Sequence, residues 1–308
     1  MQSKIQMLDL DFDLNAYLEG QRDRINQRLS IILDRPPEGQ TRLVEAMTHS
    51  LMAGGKRLRP ILCLASAEAV GTHGKDEILS AACALELIHT YSLIHDDLPA
   101  MDNDALRRGK PTCHVLYGES TAILAGDALL TLAYELLSDM GMKSLEHAGR
   151  WLDVIRNLSM AVGYNGMVEG QMRDIAAEGA ELNQAQLQAM HALKTGALIK
   201  ASVYTGARLG GGDPDELSSL TEYAECIGLA FQIVDDILNV EGDPELMGKS
   251  VGTDTVHSKG TYPSILGVER SRILAEQLVA RALQAMDNFD KRTDPLRALA
   301  AYIVKRKR

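Results

Sequence analysis

Two apolar stretches of this chain each end in a pair of adjacent aspartates, and this feature constrains the fold more than any other. The first is LELIHTYSLIHDDLPAMDND at 85–104, and the second is LAFQIVDDILNVEGD at 229–243. Two carboxylates 4 Å apart repel by about 4 kcal/mol at an effective dielectric constant near 20. Each stretch must therefore end where protons or cations balance the charge.

The composition favours helices over sheets. Aromatic residues make up only 4% of the 308 residues, while Ala, Leu, Met and Glu recur throughout, and these are good helix formers. Apolar residues recur at helical spacing from Leu14 to Ile32, and Asp213 with Glu216 fits a capping box that starts another helix. No linker or repeat interrupts the pattern. We expect an all-α fold with a single domain over residues 1–308.

Charge and cysteine content argue against several classes of protein. The formal charge of −10 disfavours a broad nucleic-acid surface. The longest stretch without Asp, Glu, Lys or Arg has 12 residues, at 157–168, so we predict no transmembrane segment. The first residues lack an apolar signal core, and the four cysteines form no C-x-x-C pair. We expect a soluble protein of the reducing cytoplasm.

The two aspartate clusters favour a hard divalent cation. Mg²⁺ prefers one or two carboxylates together with water and phosphate oxygens, whereas zinc favours His and Cys. Asp235 and Asn239 lie four residues apart, about 40° around a helix, and so share a face. Asp96 and Asp102 are about 120° apart on an ideal helix, so a distortion at Pro99 must bring them together. A solvated helix end or a structural bundle that binds Ca²⁺ is the alternative.

Two groups of cations suit a polyanionic ligand, although each is also compatible with ordinary surface charge. GGKRLRP at 54–60 joins a glycine pair to three cations, and RRGKP at 107–111 follows the first aspartate cluster. Arg suits diphosphate because its planar guanidinium donates two hydrogen bonds at once. His89 precedes Asp96 by seven residues, about 20° around the helix, and is expected to face the same cavity.

Together these motifs resemble the trans-prenyltransferases, and among them the bacterial-type farnesyl diphosphate synthases of the polyprenyl synthase family. They occur in the family's order and spacing: GGKRLRP, DDLPAMD with RRGKP behind it, Lys194-Thr195, Gln232, DDILN and Gly248-Lys249. The resemblance spans roughly residues 46–263. It implies the isoprenoid-synthase fold, an all-α helical bundle around a deep central cavity, and a homodimer.

The resemblance also implies roles for individual residues. The metal ligands are Asp96, Asp97, Asp102 and Asp235. The allylic diphosphate lies near Arg107, Lys194, Thr195, Gln232, Lys249 and Lys259. The site for isopentenyl diphosphate is formed by Lys56, Arg59, His89 and Arg108. Gln171 and Asp174, three residues apart in EGQMRD, support these groups from behind.

The implied reaction is ionisation, condensation and elimination. Mg²⁺, or Mn²⁺ in its place, and the cationic side chains stabilise the departing diphosphate. The double bond of isopentenyl diphosphate attacks the allylic cation, derived from dimethylallyl or geranyl diphosphate, and the released diphosphate accepts the proton that is lost. Thr195 and Gln232 offer oxygen dipoles to the cation. The alternatives are a geranyl or geranylgeranyl diphosphate synthase and, outside enzymes, a silent regulatory subunit.

Product length is expected to depend on Tyr91 and Ser92. These residues lie five and four positions before Asp96, where a growing prenyl chain meets the floor of its tunnel. A small residue at 92 beside a ring at 91 matches the family pattern for products of fifteen carbons. The alternative is that Tyr91 is an ordinary core aromatic.

Three further features of the sequence lead to separate expectations. The second motif has Asn239 where the family usually has Asp; an amide is a weaker magnesium ligand, so Asp235 is expected to make the metal contact. The irregular segment from Glu241 to Pro263 is a candidate lid. The basic end, Lys305 to Arg308, either is a plain charged terminus or folds over the diphosphate site.

Overall fold

Helices make up most of the residues that the computed structural model describes, which are 12–34, 41–241 and 260–306. The α-helices are, in chain order, α1 Leu14–Leu33, α2 Arg42–Leu51, α3 Leu58–Ala69, α4 Asp76–Asp96, α5 Cys113–Tyr117, α6 Glu119–Lys143, α7 Ala148–Val162, α8 Met167–Ala176, α9 Gln184–His191, α10 Ala197–Gly210, α11 Pro214–Glu241, α12 Tyr262–Leu266, α13 Val268–Ala285 and α14 Asp294–Lys305. Single 3₁₀ turns lie at Leu145–His147 and Lys291–Thr293, and a π-helical segment lies at Ala192–Gly196. The predicted all-α class is confirmed.

Both helix starts expected from the sequence are present. Asp13 caps α1 by accepting a hydrogen bond from the backbone N–H of Ala16 at 3.0 Å. At the start of α11, Glu216 N donates to Asp213 Oδ1 at 2.8 Å and Asp213 N donates to Glu216 Oε2 at 2.9 Å. These reciprocal bonds satisfy backbone donors that have no partner within the helix.

Helix α4 is the centre of the bundle and carries the first aspartate motif at its C-terminal end. It is buried over most of its length and packs against α1, α2, α3, α6 and α10. Close approach between helices depends on small residues. In α10, a Cβ added to Gly206 would lie 1.8 Å from the carbonyl oxygen of Cys63 in α3. Helix α11 packs against α10, α13 and α14 and carries the second motif.

A small β-hairpin is the only sheet structure within the described ranges. Strands β1 Leu106–Arg107 and β2 Lys110–Pro111 pair antiparallel, with Arg107 opposite Lys110. The two loop residues, Arg108 and Gly109, both have positive φ, 55° and 74°, as the type I′ turn of a tight hairpin requires. The hairpin holds Arg107 and Arg108 next to the first aspartate motif.

Two described helices are long and apolar enough to span a membrane by length and composition, although no long charge-free stretch exists. They are α4 and α6, each with a mean hydropathy of 1.3 over the best window. For α4, 78% of that window is buried inside the protein, as expected for a core helix, whereas for α6 only 39% is buried. The apolar exposure of α6 therefore needs another explanation.

Candidate active site

A cavity of about 410 Å³ lies between the C-terminal half of α4, helix α8 and the π-helical segment. Its lining brings together eight of the residues predicted from the sequence: Arg59, His89, Tyr91, Ser92, Asp96, Gln171, Lys194 and Thr195. Gln171 therefore lines the cavity itself, where a supporting position behind it was expected. The polar residues are accompanied by apolar side chains of α8, namely Met167, Val168, Met172 and Ile175. The cavity thus combines a charged part with an apolar wall.

The first aspartate motif folds back on itself at the end of α4. The backbone N–H of Asp102 donates to the carbonyl oxygen of Asp96 at 2.9 Å, and Asn103 N donates to Leu98 O at 3.1 Å. Asn103 has a φ of 53°, a left-handed conformation that Asn tolerates. The predicted distortion near Pro99 is confirmed, and it returns Asp102 to the side of Asp96.

Asp96 is poised to attract a cation. Burial raises its pKa to about 6, the Asp102 charge raises it further, and the nearby Lys194 ammonium opposes these effects. No three His, Cys, Asp or Glu side chains in the described ranges lie close enough to hold a metal ion unaided. The oxygen-only donors fit Mg²⁺, which would complete its shell with water and diphosphate oxygens.

Asp97 does not share this environment, and the prediction that it is a metal ligand does not fit its contacts. Its carboxylate is buried and accepts hydrogen bonds from Arg107 Nε at 2.8 and 2.9 Å and from Nη2 at 2.5 Å. Burial raises the pKa of Asp97 despite these bonds. Asp97 continues the helical turn, since its N–H donates to Leu93 O at 3.1 Å. It therefore lies about 100° around the helix from Asp96, away from the cavity, and fixes Arg107 instead. Arg107, predicted near the allylic diphosphate, is held by this pair beside the cavity.

The glycine pair of the GGKRLRP motif positions the Arg108 side chain. Gly54 and Gly55 have φ values of 98° and 131°, and the Arg108 guanidinium donates to the Gly54 carbonyl. A Cβ on Gly55 would lie 2.6 Å from Arg108 Nη1. Any other residue at 55 would therefore displace this cation.

Arg59 and His89 form a positively charged corner of the cavity. Burial lowers the pKa of Arg59 to about 10, with neighbouring charges acting in both directions, and its Nε is buried without a hydrogen-bond partner among the described residues. Burial, followed by the charges of Arg59 and Arg108, lowers the pKa of His89 well below its usual value. An anion placed here would satisfy the unpaired donor and offset the accumulated positive charge.

Two contacts hold Lys194 in the cavity. Its Nζ donates to Asp174 Oδ2 at 2.6 Å, so Asp174 supports the site from behind, as expected. Gly170 in α8 lies directly against the π-helical segment, where an added Cβ would be 2.2 Å from Lys194 N. π-helical turns are frequent at functional sites, and here the turn aims Lys194 and Thr195 into the cavity.

A hydrogen-bond chain links Thr195 to the second aspartate motif. Thr195 Oγ1 donates to Gln232 Oε1 at 3.1 Å, and Gln232 Nε2 donates to Asp236 Oδ1 at 2.9 Å. Asp236 Oδ2 accepts from the backbone N–H of Tyr262 at 3.0 Å. Asp236 is therefore a buried anchor for the start of α12, and Gln232 lies behind Thr195 without lining the cavity.

Asp235 and Asn239 do not share an environment, contrary to the simple helical expectation. The Asp235 side chain is 38% exposed, whereas Asn239 is buried with Asp236. Asp235 Oδ1 accepts a hydrogen bond from Arg306 Nη2 at 2.5 Å. The basic end of the chain therefore lies on the second motif, with Arg306 buried against Phe231.

The remaining predicted residues lie elsewhere. Lys56 lines a second cavity of about 320 Å³ together with Phe231 and Arg306. Lys249 and Lys259, most of the candidate lid, and the last two residues of the basic end lie outside the described residues.

The apolar wall on α8 was not predicted from the sequence, although Val168, Met172 and Ile175 recur at helical spacing. Arg57 is one of the three cations of GGKRLRP predicted to suit a polyanionic ligand, but its role is different. It has a φ of 52° and its buried guanidinium bonds Glu86 at 2.7 Å, so it supports the loop beneath the site.

A helical bundle that places aspartate motifs and cations at one part of a central cavity, and apolar walls at another, defines a prenyltransferase of the isoprenoid-synthase fold. The chain belongs to the polyprenyl synthetase family, whose sequence model matches residues 40–299. It is accordingly a transferase of isoprenoid biosynthesis that elongates prenyl diphosphates.

Two relatives named geranylgeranyl pyrophosphate synthases resemble this chain. It is 45% identical over 96% of its length to the large subunit 1 of a heterodimeric geranylgeranyl pyrophosphate synthase from Arabidopsis thaliana, of which 80% is covered. It is 44% identical over 96% of its length to a geranylgeranyl pyrophosphate synthase from Catharanthus roseus, 82% covered.

Two solved structures with other product names share the fold of this chain. An apo FPP/GFPP synthase from Zymomonas mobilis superposes with a TM-score of 0.82 at 38% identity, over 94% of this chain and 98% of that one. A putative farnesyl-diphosphate synthase from Marinomonas sp. MED121 gives 0.80 at 41% identity, over 95% and 99%. The family is therefore established, and product length is not.

Proposed function

We propose that this protein is a farnesyl diphosphate synthase, which condenses dimethylallyl and then geranyl diphosphate with isopentenyl diphosphate and stops at fifteen carbons. The observation that carries the proposal is the position of Tyr91. It lines the cavity five residues before Asp96, about 7.5 Å along the helix axis. Its side chain also tilts toward the helix N-terminus, away from the charged part.

The surroundings of Tyr91 make it a firm floor. The residue is only 7% exposed, and its ring meets the His95 ring edge-on at a centroid distance of 5.8 Å. His95 Nε2 lies 3.0 Å from Ile123 O in α6. A Cβ on Gly126 would overlap the His95 ring at 2.2 Å. A prenyl chain that reaches Tyr91 therefore meets a ring backed by a second ring and a helix.

The residues of the cavity support the proposed steps. When bound, Mg²⁺ would neutralise diphosphate oxygens between Asp96, Asp102 and Asp235, with Mn²⁺ as a possible substitute. Lys194 and the positively charged corner of Arg59 and His89, with Arg108 beside it, stabilise diphosphate charge as the allylic C–O bond breaks. The isopentenyl double bond then forms the new C–C bond, and the released diphosphate takes the proton.

Product analysis tests the proposal directly. With dimethylallyl and isopentenyl diphosphates and Mg²⁺, we expect a fifteen-carbon product, and none when EDTA removes the metal. Tyr91→Ala should release products longer than fifteen carbons. Ser92→Ala is the matched control, because Ala keeps position 92 small and removes only a hydroxyl that donates to the His89 carbonyl of its own helix, at 2.9 Å. Its product should stay the same.

A geranylgeranyl diphosphate synthase is the second candidate, because relatives with that name are 43–45% identical to this chain. A twenty-carbon product from the unaltered protein would favour it and contradict the farnesyl proposal. A Tyr91→Ala variant that unfolds more easily but still releases the fifteen-carbon product would place the floor elsewhere. No product under any condition would favour a silent subunit.

The proposed assembly is a homodimer formed through an apolar face. Of the sixteen exposed large apolar residues in the described ranges, twelve lie between Leu106 and Met172. Helices α6 and α7 contribute Ile123, Leu124, Leu152 and Met160, which are 44–67% exposed. An apolar region of this extent is typical of a subunit interface, and closed two-fold symmetry is the commonest arrangement.

The cytoplasmic location and the single domain over residues 1–308 stay predictions. The four cysteines are buried and unpaired, which is compatible with a reducing compartment.

A further inference from the structure

The basic end of the chain makes a specific contact with the second aspartate motif. Arg306 follows the last residue of α14, and its φ and ψ of −66° and 148° turn the chain out of the helix. Its Nη2 donates to Asp235 Oδ1 at 2.5 Å and to the Phe231 carbonyl at 2.8 Å. Its guanidinium carbon lies 4.0 Å from the centroid of the Phe231 ring.

This contact differs from an ordinary surface ion pair. The Arg306 side chain is 3% exposed, although it belongs to a chain terminus. A charge buried to this degree needs a counter-ion, and Asp235 supplies it. Neighbouring Lys305 is exposed instead. The fold therefore fixes the Arg306 side chain in a buried position, whereas the Lys305 side chain lies in solvent.

The arrangement leaves Arg306 incompletely satisfied. Its Nε is buried and has no hydrogen-bond partner within the described part of the chain. A guanidinium with an unpaired buried donor is held less firmly than a fully bonded one. The contact can therefore be displaced at a smaller cost than its burial alone suggests.

We propose that Arg306 is an internal competitor for the metal at Asp235. A magnesium ion bound to this carboxylate requires an oxygen at about 2.1 Å, and Oδ1 is already engaged by a cation. The proposal rests on the metal role of Asp235 in the proposed function. Arg306 keeps the second aspartate motif neutralised when no metal is bound, and metal binding releases it.

Release has a reciprocal consequence. Because metal and Arg306 exclude each other at one oxygen, whatever favours one disfavours the other by the same factor. Arg306 also lines the 320 Å³ cavity with Lys56. While Arg306 is paired with Asp235, its charge in that cavity is offset. Release leaves this charge unpaired only after the metal has bound, which orders metal binding before the capture of an anion there.

The test measures the affinity for Mn²⁺ alone, without diphosphate, by electron paramagnetic resonance of free Mn²⁺. Arg306→Gln should bind Mn²⁺ more tightly than the unaltered protein, by about tenfold, the effect of one charge-assisted hydrogen bond on a half-exposed carboxylate. Lys305→Gln is the matched control, because it removes the same charge from the adjacent exposed position. Its affinity should stay within about twofold.

Further variants separate the possible failures. Asp235→Asn should weaken Mn²⁺ binding and abolish the difference between Arg and Gln at 306. If Asp235→Asn leaves binding unchanged, the metal role itself is wrong. If it weakens binding but Arg306→Gln equals the unaltered protein, only the competition is wrong. If Arg306→Gln lowers the melting temperature, Phe231→Leu is the second variant, because it removes the ring beneath Arg306 without changing the charge. It should also raise the affinity for Mn²⁺, and an unchanged affinity overturns the proposal.

Discussion

At the scale of single residues, Asp96 connects burial to pH dependence. Its pKa is raised to about 6 by burial and by Asp102, so the carboxylate loses its charge as the pH falls through 6. Since the charged form binds the metal, kcat/KM should fall about tenfold per pH unit below 6 and level off above it. A pH profile at a Mg²⁺ concentration well below saturation checks this, because saturating metal competes with the proton and lowers the apparent pKa of Asp96.

Two variants of opposite sign test the cause of the Asp96 shift. The Asp102 charge raises the pKa of Asp96 and the Lys194 charge lowers it. In the metal-free protein, a carbon-13 titration of Asp96 should show a lower pKa in Asp102→Asn and a higher pKa in Lys194→Met. Equal shifts in one direction would mean that both substitutions act through altered burial.

Asp96 and Asp97 show which contacts of single residues could be predicted from the sequence and which could not. The motif spacing correctly placed Asp96, His89 and Tyr91 in one cavity, because all three lie on one regular helix. Asp97 follows Asp96 by one helical step of about 100°, so it points out of the cavity and faces Arg107, a partner that the motif alone does not identify. Likewise, nothing in the local sequence of Arg306 indicates which distant carboxylate it contacts.

At the scale of elements, the contact between α8 and the π-helical segment is set by one glycine. Gly170→Ala would push a Cβ to 2.2 Å from Lys194 N and 2.5 Å from Lys194 Cα. Backbone atoms cannot swing aside as a flexible side chain can, so the two elements must separate. We expect a loss of about 1–3 kcal/mol in the free energy of unfolding, together with a higher KM for the allylic substrate, measured by urea denaturation and steady-state kinetics.

Gly20 offers the matched control for this prediction. It lies inside α1, and an added Cβ would meet nothing within 4 Å. Gly20→Ala should therefore raise the free energy of unfolding by about 0.5–1 kcal/mol, because Ala favours the helix. Stability that is unchanged in both variants would show that α8 adjusts without cost.

The elements themselves were largely predictable, and their irregularities were not. Apolar periodicity and the Asp213–Glu216 capping box are local signals, and both helix starts were confirmed. The distortion near Pro99 was also expected, since proline cannot continue the hydrogen-bond ladder. The π-helical turn at Ala192–Gly196 has no such local signal, because it arises where the Lys194 segment must fit against Gly170.

At the scale of the whole molecule, the apolar face of α6 and α7 predicts an assembly that a single charge can break. Leu152 is 67% exposed on α7. Leu152→Glu would place a carboxylate within the proposed interface, so we expect monomers in sedimentation at micromolar concentration, where we expect the unaltered protein to be the proposed dimer.

Ile273 supplies the control for the assembly. It is 45% exposed on α13, outside the region between Leu106 and Met172, so Ile273→Glu should leave the dimer intact. A Leu152→Glu variant that still sediments as a dimer would place the interface elsewhere, and a monomeric unaltered protein would contradict the assembly altogether.

The hydrogen bond between Thr195 and Gln232 decides which part of the Thr195 hydroxyl faces the cavity. Gln232 Nε2 is committed to Asp236, which fixes the amide so that its oxygen receives the Thr195 proton. Thr195 consequently turns lone pairs, and not a proton, toward the prenyl chain. The wall of the cavity at Thr195 therefore carries partial negative charge, which attracts the positive charge that develops on the allylic carbon as its C–O bond breaks and disfavours a diphosphate oxygen at the same place.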